Sequence, residues 1–358
     1  MIERRKTRQV HIGSVPVGGG APISVQSMCT TDTRDVAATV MQIDQLAAAG
    51  CEIVRVAVPD EDAARAIGPI RERISIPLIA DIHFKHTLAL IAVESGVDGL
   101  RINPGNIGKR ERVEQVVRAC ADKNVPIRIG VNSGSIEKSL IAKHGGPTAE
   151  AMFESAMGHI AILEELGFHD VKVSLKASDI LRNVEANRLF AARTDIPLHL
   201  GITEAGTQYA GAIKSAVGLG ILLAEGIGDT IRVSLTGNPV PEIRAGFEIL
   251  KSLGLRQRGV HFVSCPNCGR LEAPIEDLAD ALEKELADVD APVHVAVMGC
   301  SVNGPGESRE ADVGVIAGKN DEYLIYRESK FWKKLPKSKV VDTVSKIVRD
   351  LAKEVSER

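Results

Sequence analysis

Aromatic residues are scarce in this 358-residue chain: one Trp, three Tyr and seven Phe, 3% in all. So few rings weigh against stacking on successive bases, and single-stranded nucleic acid is not expected as the main ligand. Cationic excess is lacking too. Forty-four Lys and Arg against 47 Asp and Glu leave a formal net charge of −3. No global field for nucleic acid follows from that balance, although a local cluster of cations remains open. No apolar run reaches the roughly 18 residues that a membrane span requires. The opening stretch MIERRKTRQVHIGSVPVGG has no apolar core behind its charges. No secretory signal is therefore expected, and the chain reads as cytoplasmic. Cysteine is sparse, and its six copies are then expected as thiols or metal ligands rather than disulfides. What is present is ordinary globular composition, 44% hydrophobic and 25% charged, at a length that suggests about two domains.

A strand-then-helix rhythm fills the first part of the chain. Strands are expected at ISVQSM (from Ile23), IVRVAV (Ile53), LIADI (Leu78), GLRIN (Gly99), IRIGV (Ile127), VKVSL (Val171), LHLGI (Leu198) and IRVSL (Ile231). Helices are expected between them, among them Val36–Ala49, Arg110–Lys123, Ala149–Leu166 and Gly206–Glu225, with a last one over Pro241–Leu253. Such alternation means a parallel sheet. Eight units in about 250 residues match a closed (β/α)8 barrel of the TIM type. The rival, an open doubly wound sheet, usually carries a glycine-rich phosphate turn after its first strand. Here Ser27-Met28-Cys29-Thr30 follows that strand, without glycine. Near Gly254 the rhythm breaks, at LGLRQRGVHF. Residues 1–254 are thus expected to form the barrel and 259–358 a smaller α+β domain. The latter reads as a C-x-x-C turn, a helix over Ile275–Ala287, strands at VHVAVMGC, DVGVIAG and YLIYR, and a closing helix over Val340–Val355.

Side chains alternate along a strand, and here the alternation separates apolar from cationic. In Ile127–Val131 one face is Ile127, Ile129 and Val131; the other carries Arg128 and Gly130, with Asn132 just beyond. The second face of Val171–Leu175 carries Lys172 and Ser174, with Lys176 next. His199 and Gly201, then Arg232 and Ser234, repeat the pattern, as do Arg55 and Arg101 with Asn103. The face that meets the helices must be apolar, so the polar face points into the barrel, where Val, Ile and Leu normally fill the space. Arg55, Arg101, Arg128, Lys172, Lys176 and Arg232 share that face with two carboxylates, Asp81 and Glu204. Uncompensated buried charge costs several kcal/mol per ion. An anion is therefore expected inside, and arginine forks suit phosphate or diphosphate oxygens. Further candidates stand at strand ends, in DIHF (with His83), RINPGN, GVNSGS, SLKAS, GITEAG and SLTGNP, where loops of a barrel enzyme hold its active site.

Cys29, Cys51 and Cys120 are scattered, with no ligand spacing, and the last two are expected as packed thiols. The other three cluster: Cys265-Pro-Asn-Cys268 and Met298-Gly-Cys300, with Glu307 seven residues beyond. Three thiolates suit zinc, for which His261 or His294 offers a fourth ligand, or an iron–sulfur cluster completed by Glu307. A C-x-x-C pair also suits thiol redox chemistry. Spacing alone leaves all three open.

The strings RINPGN, GVNSGSIEK, GITEAG, IRVSLTG, CPNCGR and MGCSVNGPGE together closely resemble the 4-hydroxy-3-methylbut-2-enyl diphosphate synthase (IspG/GcpE) family, over essentially the whole chain. The likeness is to the two-domain bacterial form, without the insert of plant and apicomplexan members. It implies a barrel followed by a sulfite-reductase-like iron–sulfur domain. It also implies reductive opening of 2-C-methyl-D-erythritol 2,4-cyclodiphosphate in the non-mevalonate isoprenoid pathway. A [4Fe–4S] cluster would be held by Cys265, Cys268, Cys300 and Glu307. Arg55, Arg101, Arg128, Lys172 and Arg232 would contact phosphate, with Asn103, Asn132, Ser174 and Ser234 as hydrogen-bond donors and His83, His199 and Lys176 as further candidates. Glu204 would protonate the departing hydroxyl. Family members work as head-to-tail homodimers fed by flavodoxin or ferredoxin, both typically acidic. The basic stretch YRESKFWKKLPKSK could receive such a donor, although a solvated surface segment explains most such runs. Two other readings compete. One is a phosphosugar lyase using Lys172 or Lys176 as a Schiff base beside a structural zinc. The other is a zinc-bearing module that senses an anionic metabolite.

Overall fold

The computed structural model describes residues 2–107 and 109–357. They form two units, 1–256 and 257–358. In the first, an antiparallel hairpin of β1 (Gln9–Ile12) and β2 (Val15–Gly18) precedes eight strands. These are β3 (Ser24–Met28), β4 (Ile53–Ala57), β5 (Leu78–Asp81), β6 (Gly99–Ile102), β7 (Ile127–Asn132), β8 (Val171–Lys176), β9 (His199–Leu200) and β10 (Thr230–Ile231). Their order is β8-β7-β6-β5-β4-β3-β10-β9, all parallel, and a parallel bridge from Val173 to Leu198 closes the ring. The expected (β/α)8 barrel is what forms.

Local chemistry starts the helices where they begin. Asp35, Asp60, Thr148 and Asp179 each accept a backbone N–H from the first turn of the helix they precede, satisfying a donor that has no partner within the helix. The outward strand residues, such as Val54, Ile102, Ile129, Val173, Leu200 and Val233, pack on these helices in one continuous core. Val10, Ile12 and Val17 of the hairpin pack with Ile53 and Ile79 and cover the N-terminal end of the barrel.

The last two strands are shorter than the expected Leu198–Ile202 and Ile231–Leu235. Polar side chains hold the chain where the ladder is thin. Asp229 accepts the Leu198 N–H at 2.8 Å, and Arg5 donates to the carbonyls of Thr194 and Ile196 at 2.6 and 2.7 Å.

The second unit is a five-stranded sheet in the order β11 (His261–Ser264), β12 (His294–Met298), β13 (Val313–Ala317), β14 (Glu322–Arg327), β15 (Lys330–Pro336). The first three strands are parallel and the last two antiparallel. Helices Glu276–Glu285 and Val340–Ser356 cover one face, through Leu278, Leu282, Val344 and Val348. Helix Gly304–Glu310 lies on the other. It sits close because a side chain at Gly304 would meet Ile316 at 2.7 Å and one at Gly314 would meet Ser308 at 2.2 Å. Neither the hairpin nor β11 and β15 stands among the expected strands; β15 lies inside the basic stretch.

Candidate active site

The register sets the cations side by side. Asp81 pairs with Arg101, Arg101 with Arg128, and Arg128 with Lys172 on successive parallel strands. All four are buried, Arg128 and Lys172 to 1% exposure. Lys176 is also buried, and Arg55 and Arg232 are largely covered. The polar strand face therefore does point inward. Two glycines make the room: a side chain at Gly130 would lie 2.5 Å from Arg101 Nε, and one at Gly201 would lie 2.7 Å from Lys176 Nζ.

Compensation is partial. Asp81 meets Arg101 at 3.1 Å and Arg55 at 3.5 Å. Glu242 meets Arg232 at 3.4 Å and accepts from Ser27 Oγ and the Leu235 N–H at 2.8 and 2.9 Å. Glu204 does not serve as the second interior anion. It is exposed in the loop after β9, with a left-handed φ of 53°. Glu242, 2% exposed at the start of helix Val240–Ser252, takes that place. Sequence reasoning missed it because an acid in a helix first turn reads as a solvated dipole partner. Six cations against two carboxylates still leave the interior positive.

The excess is felt by the groups themselves. Burial pushes Lys172 and Lys176 well below the usual lysine range, and Arg128 and Arg55 beside them push further. His199, fully buried, is driven down by burial and then by Arg128 and the two lysines. Burial lowers Arg55 to about 10, against the attraction of Asp81. Burial would raise Asp81, but Arg55, His83 and Arg101 hold it well below the usual carboxylate range. Among the described residues, Lys172 Nζ, both ring nitrogens of His199, Ser24 Oγ and Thr230 Oγ1 have no hydrogen-bond partner. Buried polar atoms of this kind call for a guest.

Ser174 and Asn103 are buried beside the cations; Asn132, at the end of β7, and Ser234, three residues beyond β10, are half-buried. His83 is exposed at the mouth, 3.6 Å from Asp81 and 3.4 Å from Arg101. The arrangement can seat a multiply charged anion. Gly130→Ala is expected to push Arg101 off Asp81 and weaken diphosphate binding about tenfold or more, since a hydrogen bond to a charged group contributes about 1.5–3 kcal/mol. Calorimetric titration with pyrophosphate checks it.

In the second unit, Cys265 follows β11 and Cys300 follows the neighbouring β12, joined through the Cys265 N–H to Val297 O at 3.0 Å. Cys268 is exposed in the turn between Cys265 and Leu271. Glu307 lies in the first turn of helix Gly304–Glu310, whose start is tied to Cys300 by a 3.3 Å hydrogen bond. Glu272 accepts Ser301 Oγ at 2.8 Å and binds the two cysteine loops together. All four donors thus sit at one end of the sheet. Among the described residues, no three His, Cys, Asp or Glu side chains converge closely enough to hold a single metal ion. Three soft thiols on adjoining loops and one carboxylate in the next helix's first turn nevertheless match the chemistry of an iron–sulfur site. His261 and His294 stack on each other, centroids 4.8 Å apart, at the starts of β11 and β12. They stand at the opposite end of the sheet from the thiols, which removes them as ligands for a zinc. Cys51 and Cys120 are packed thiols, both pushed up to about 12 by burial.

Family models describe both units. Residues 7–247 match the GcpE TIM-barrel domain, and residues 261–350 match the GcpE protein C-terminal domain. The chain belongs to the GcpE family. A GcpE relative from Geobacter sulfurreducens, named 4-hydroxy-3-methylbut-2-en-1-yl diphosphate synthase (flavodoxin), is 62% identical over 95% of this chain and 96% of its own. One of the same name from Thermodesulfovibrio yellowstonii is 54% identical over 98% of this chain and all of its own. Among solved structures, dihydropteroate synthase from Stenotrophomonas maltophilia matches with a TM-score of 0.52 at 14% identity, over 69% of this chain and 97% of its own. That likeness speaks for the barrel fold alone.

Proposed function

We propose that this chain catalyses the two-electron reductive opening of 2-C-methyl-D-erythritol 2,4-cyclodiphosphate to (E)-4-hydroxy-3-methylbut-2-enyl diphosphate, with a flavodoxin as donor. The observation that carries the reading is the interior row Arg101–Arg128–Lys172, which among the described residues meets a carboxylate only at its Asp81 end. A cyclic diphosphate has the charge and compactness to fill such a cavity. The named activity of the relatives supports the same conclusion.

The residues divide the work. Arg55, Arg101, Arg128, Lys172 and Arg232 bind the two phosphates, and Asp81 and Glu242 hold Arg55, Arg101 and Arg232 in place. Asn103, Asn132, Ser174 and Ser234 donate to the remaining oxygens, with His83, Lys176 and His199 completing the shell. Bound cations stabilise the phosphate oxygen that leaves carbon when the ring C–O bond breaks. Glu204, held on strained backbone at the mouth, gives a proton to the departing hydroxyl, which leaves as water. A [4Fe–4S] cluster held by Cys265, Cys268, Cys300 and Glu307 would supply the two electrons. A homodimer is the working assembly we propose.

Binding should move protons. Lys172, Lys176 and His199 have lowered pKa values in the empty barrel, and a bound diphosphate raises them again. Net proton uptake is therefore expected, with affinity falling as pH rises. Without ligand the sign is reversed. Groups with depressed cationic pKa values make the fold more stable as pH rises towards their ordinary values, about 6.5 for His and 10.4 for Lys. Calorimetry of cyclodiphosphate binding in buffers of different ionisation enthalpy measures the uptake. Proton release would contradict the assignment of the cavity.

A further inference from the structure

The outer edge of the second unit carries more than a solvated surface requires. From Glu322 to Lys339, six cations (Arg327, Lys330, Lys333, Lys334, Lys337 and Lys339) stand against two carboxylates, Glu322, 3.7 Å from Lys334, and Glu328, 3.5 Å from Arg327, in a chain whose net charge is −3. Strand β15 is the end of the sheet, and Lys330, Phe331, Trp332 and Lys334 on it are exposed. Phe331 is 52% and Trp332 45% exposed. Lysines alone on an edge strand serve to block edge-to-edge pairing. That account does not cover two large aromatic rings among them, which invite the very contact that the lysines would prevent.

The face presented here is that of the cysteine loops. Phe331 pairs with Tyr326 and Lys334 with Leu324, and the Tyr326 and Phe331 rings meet edge to face at 6.0 Å. Leu324, Tyr326 and Cys265 pack against one small core with Met298 and Ile316. A packed layer therefore runs from Cys265 through Tyr326 to the exposed Phe331 ring, while Trp332 stands at the irregularity in the strand pairing with Lys333 Nζ 3.8 Å over its ring. Aromatic anchors within a cationic rim are the make-up of an interface for an acidic protein.

We propose that the β14–β15 edge is the docking surface for the acidic flavodoxin, with Phe331 and Trp332 seated against it and Lys330, Lys333, Lys334 and Lys337 steering it in. The proposal rests on the function proposed above. The test uses the holoenzyme and two surface variants, Lys330→Glu/Lys334→Glu and Phe331→Ala. Flavodoxin binding is followed by calorimetry over a range of ionic strength, and turnover is driven either by reduced flavodoxin or by dithionite, which needs no docking. The expected result is a Kd and KM for flavodoxin raised about tenfold or more, a flatter salt dependence for the charge variant, and an unchanged dithionite-driven kcat. Unchanged flavodoxin affinity in both variants would overturn the proposal. So would equal loss of both rates with a changed oligomeric state, which would give this face to a second copy of the chain. A parent enzyme inactive with either reductant would instead defeat the proposed reaction, while the binding titration would still decide the docking surface.

Discussion

Arg128→Met is expected to give a barrel that melts at a higher temperature than the parent without ligand and turns over about a thousandfold more slowly. Both effects have one cause. Arg128 is 1% exposed, its hydrogen bond to Gln26 Oε1 is long at 3.4 Å, and its Nε has no partner among the described residues. Arg101 and Lys172 flank it in register. Burial first, and then Arg55 and Arg101, push its guanidinium well below the usual range. Replacing such a charge by an apolar side chain of similar length is expected to stabilise the empty fold by about 1–4 kcal/mol. On the proposed assignment the same change also deletes a desolvated guanidinium–phosphate contact. At about 4 kcal/mol that loss is roughly a thousandfold in kcat/KM. Thermal melts and steady-state kinetics on the same preparation check the pair. A lower melting temperature with kcat/KM preserved would show that Arg128 is a structural residue.

Cys268→Ala should separate ligand chemistry from packing. Cys268 is exposed in its turn and belongs to neither core of its unit, so the metal-free chain is expected to fold and melt as the parent does. The proposed iron–sulfur site would lose one thiolate of three. Iron and sulfide content and visible absorbance should fall, and turnover should drop by at least about a thousandfold. Cys120→Ala is the counterpart. That thiol is fully buried and held protonated, up to about 12. Its loss is expected to cost about 1 kcal/mol of stability and no turnover. If Cys120→Ala lost the absorbance and Cys268→Ala kept it, the ligand assignment would fail.

Much of the barrel was legible because parallel strands covered by helices should be apolar on one face and filled by apolar side chains on the other. Each Arg or Lys at an inward position is therefore conspicuous, and Arg101, Arg128 and Lys172 fall where alternation puts them. Glu242 was not legible. Its partner Ser27 lies 215 residues away, and no local pattern joins a helix first turn to the first barrel strand. Glu204 misled in the opposite sense. The alternation that places Gly201 inward stops there, the chain turns, and Glu204 ends exposed. Strand β15 was hidden because its lysines and rings obscure the period-two pattern of a half-buried strand, of which only Leu335 is fully buried. The hairpin β1–β2 was hidden by its position in a charged opening, though Val10, Ile12 and Val17 do alternate.

In the proposed reaction the cationic barrel and the cysteine–glutamate site serve one reductive ring opening. The most direct measurement is anaerobic reconstitution of the chain with iron and sulfide, followed by reaction of 2-C-methyl-D-erythritol 2,4-cyclodiphosphate with reduced flavodoxin and identification of the product by mass spectrometry. The expected product is (E)-4-hydroxy-3-methylbut-2-enyl diphosphate, one molecule for each pair of electrons consumed. Cyclodiphosphate left unconsumed by a protein carrying its full complement of iron and sulfide would contradict the proposed reaction.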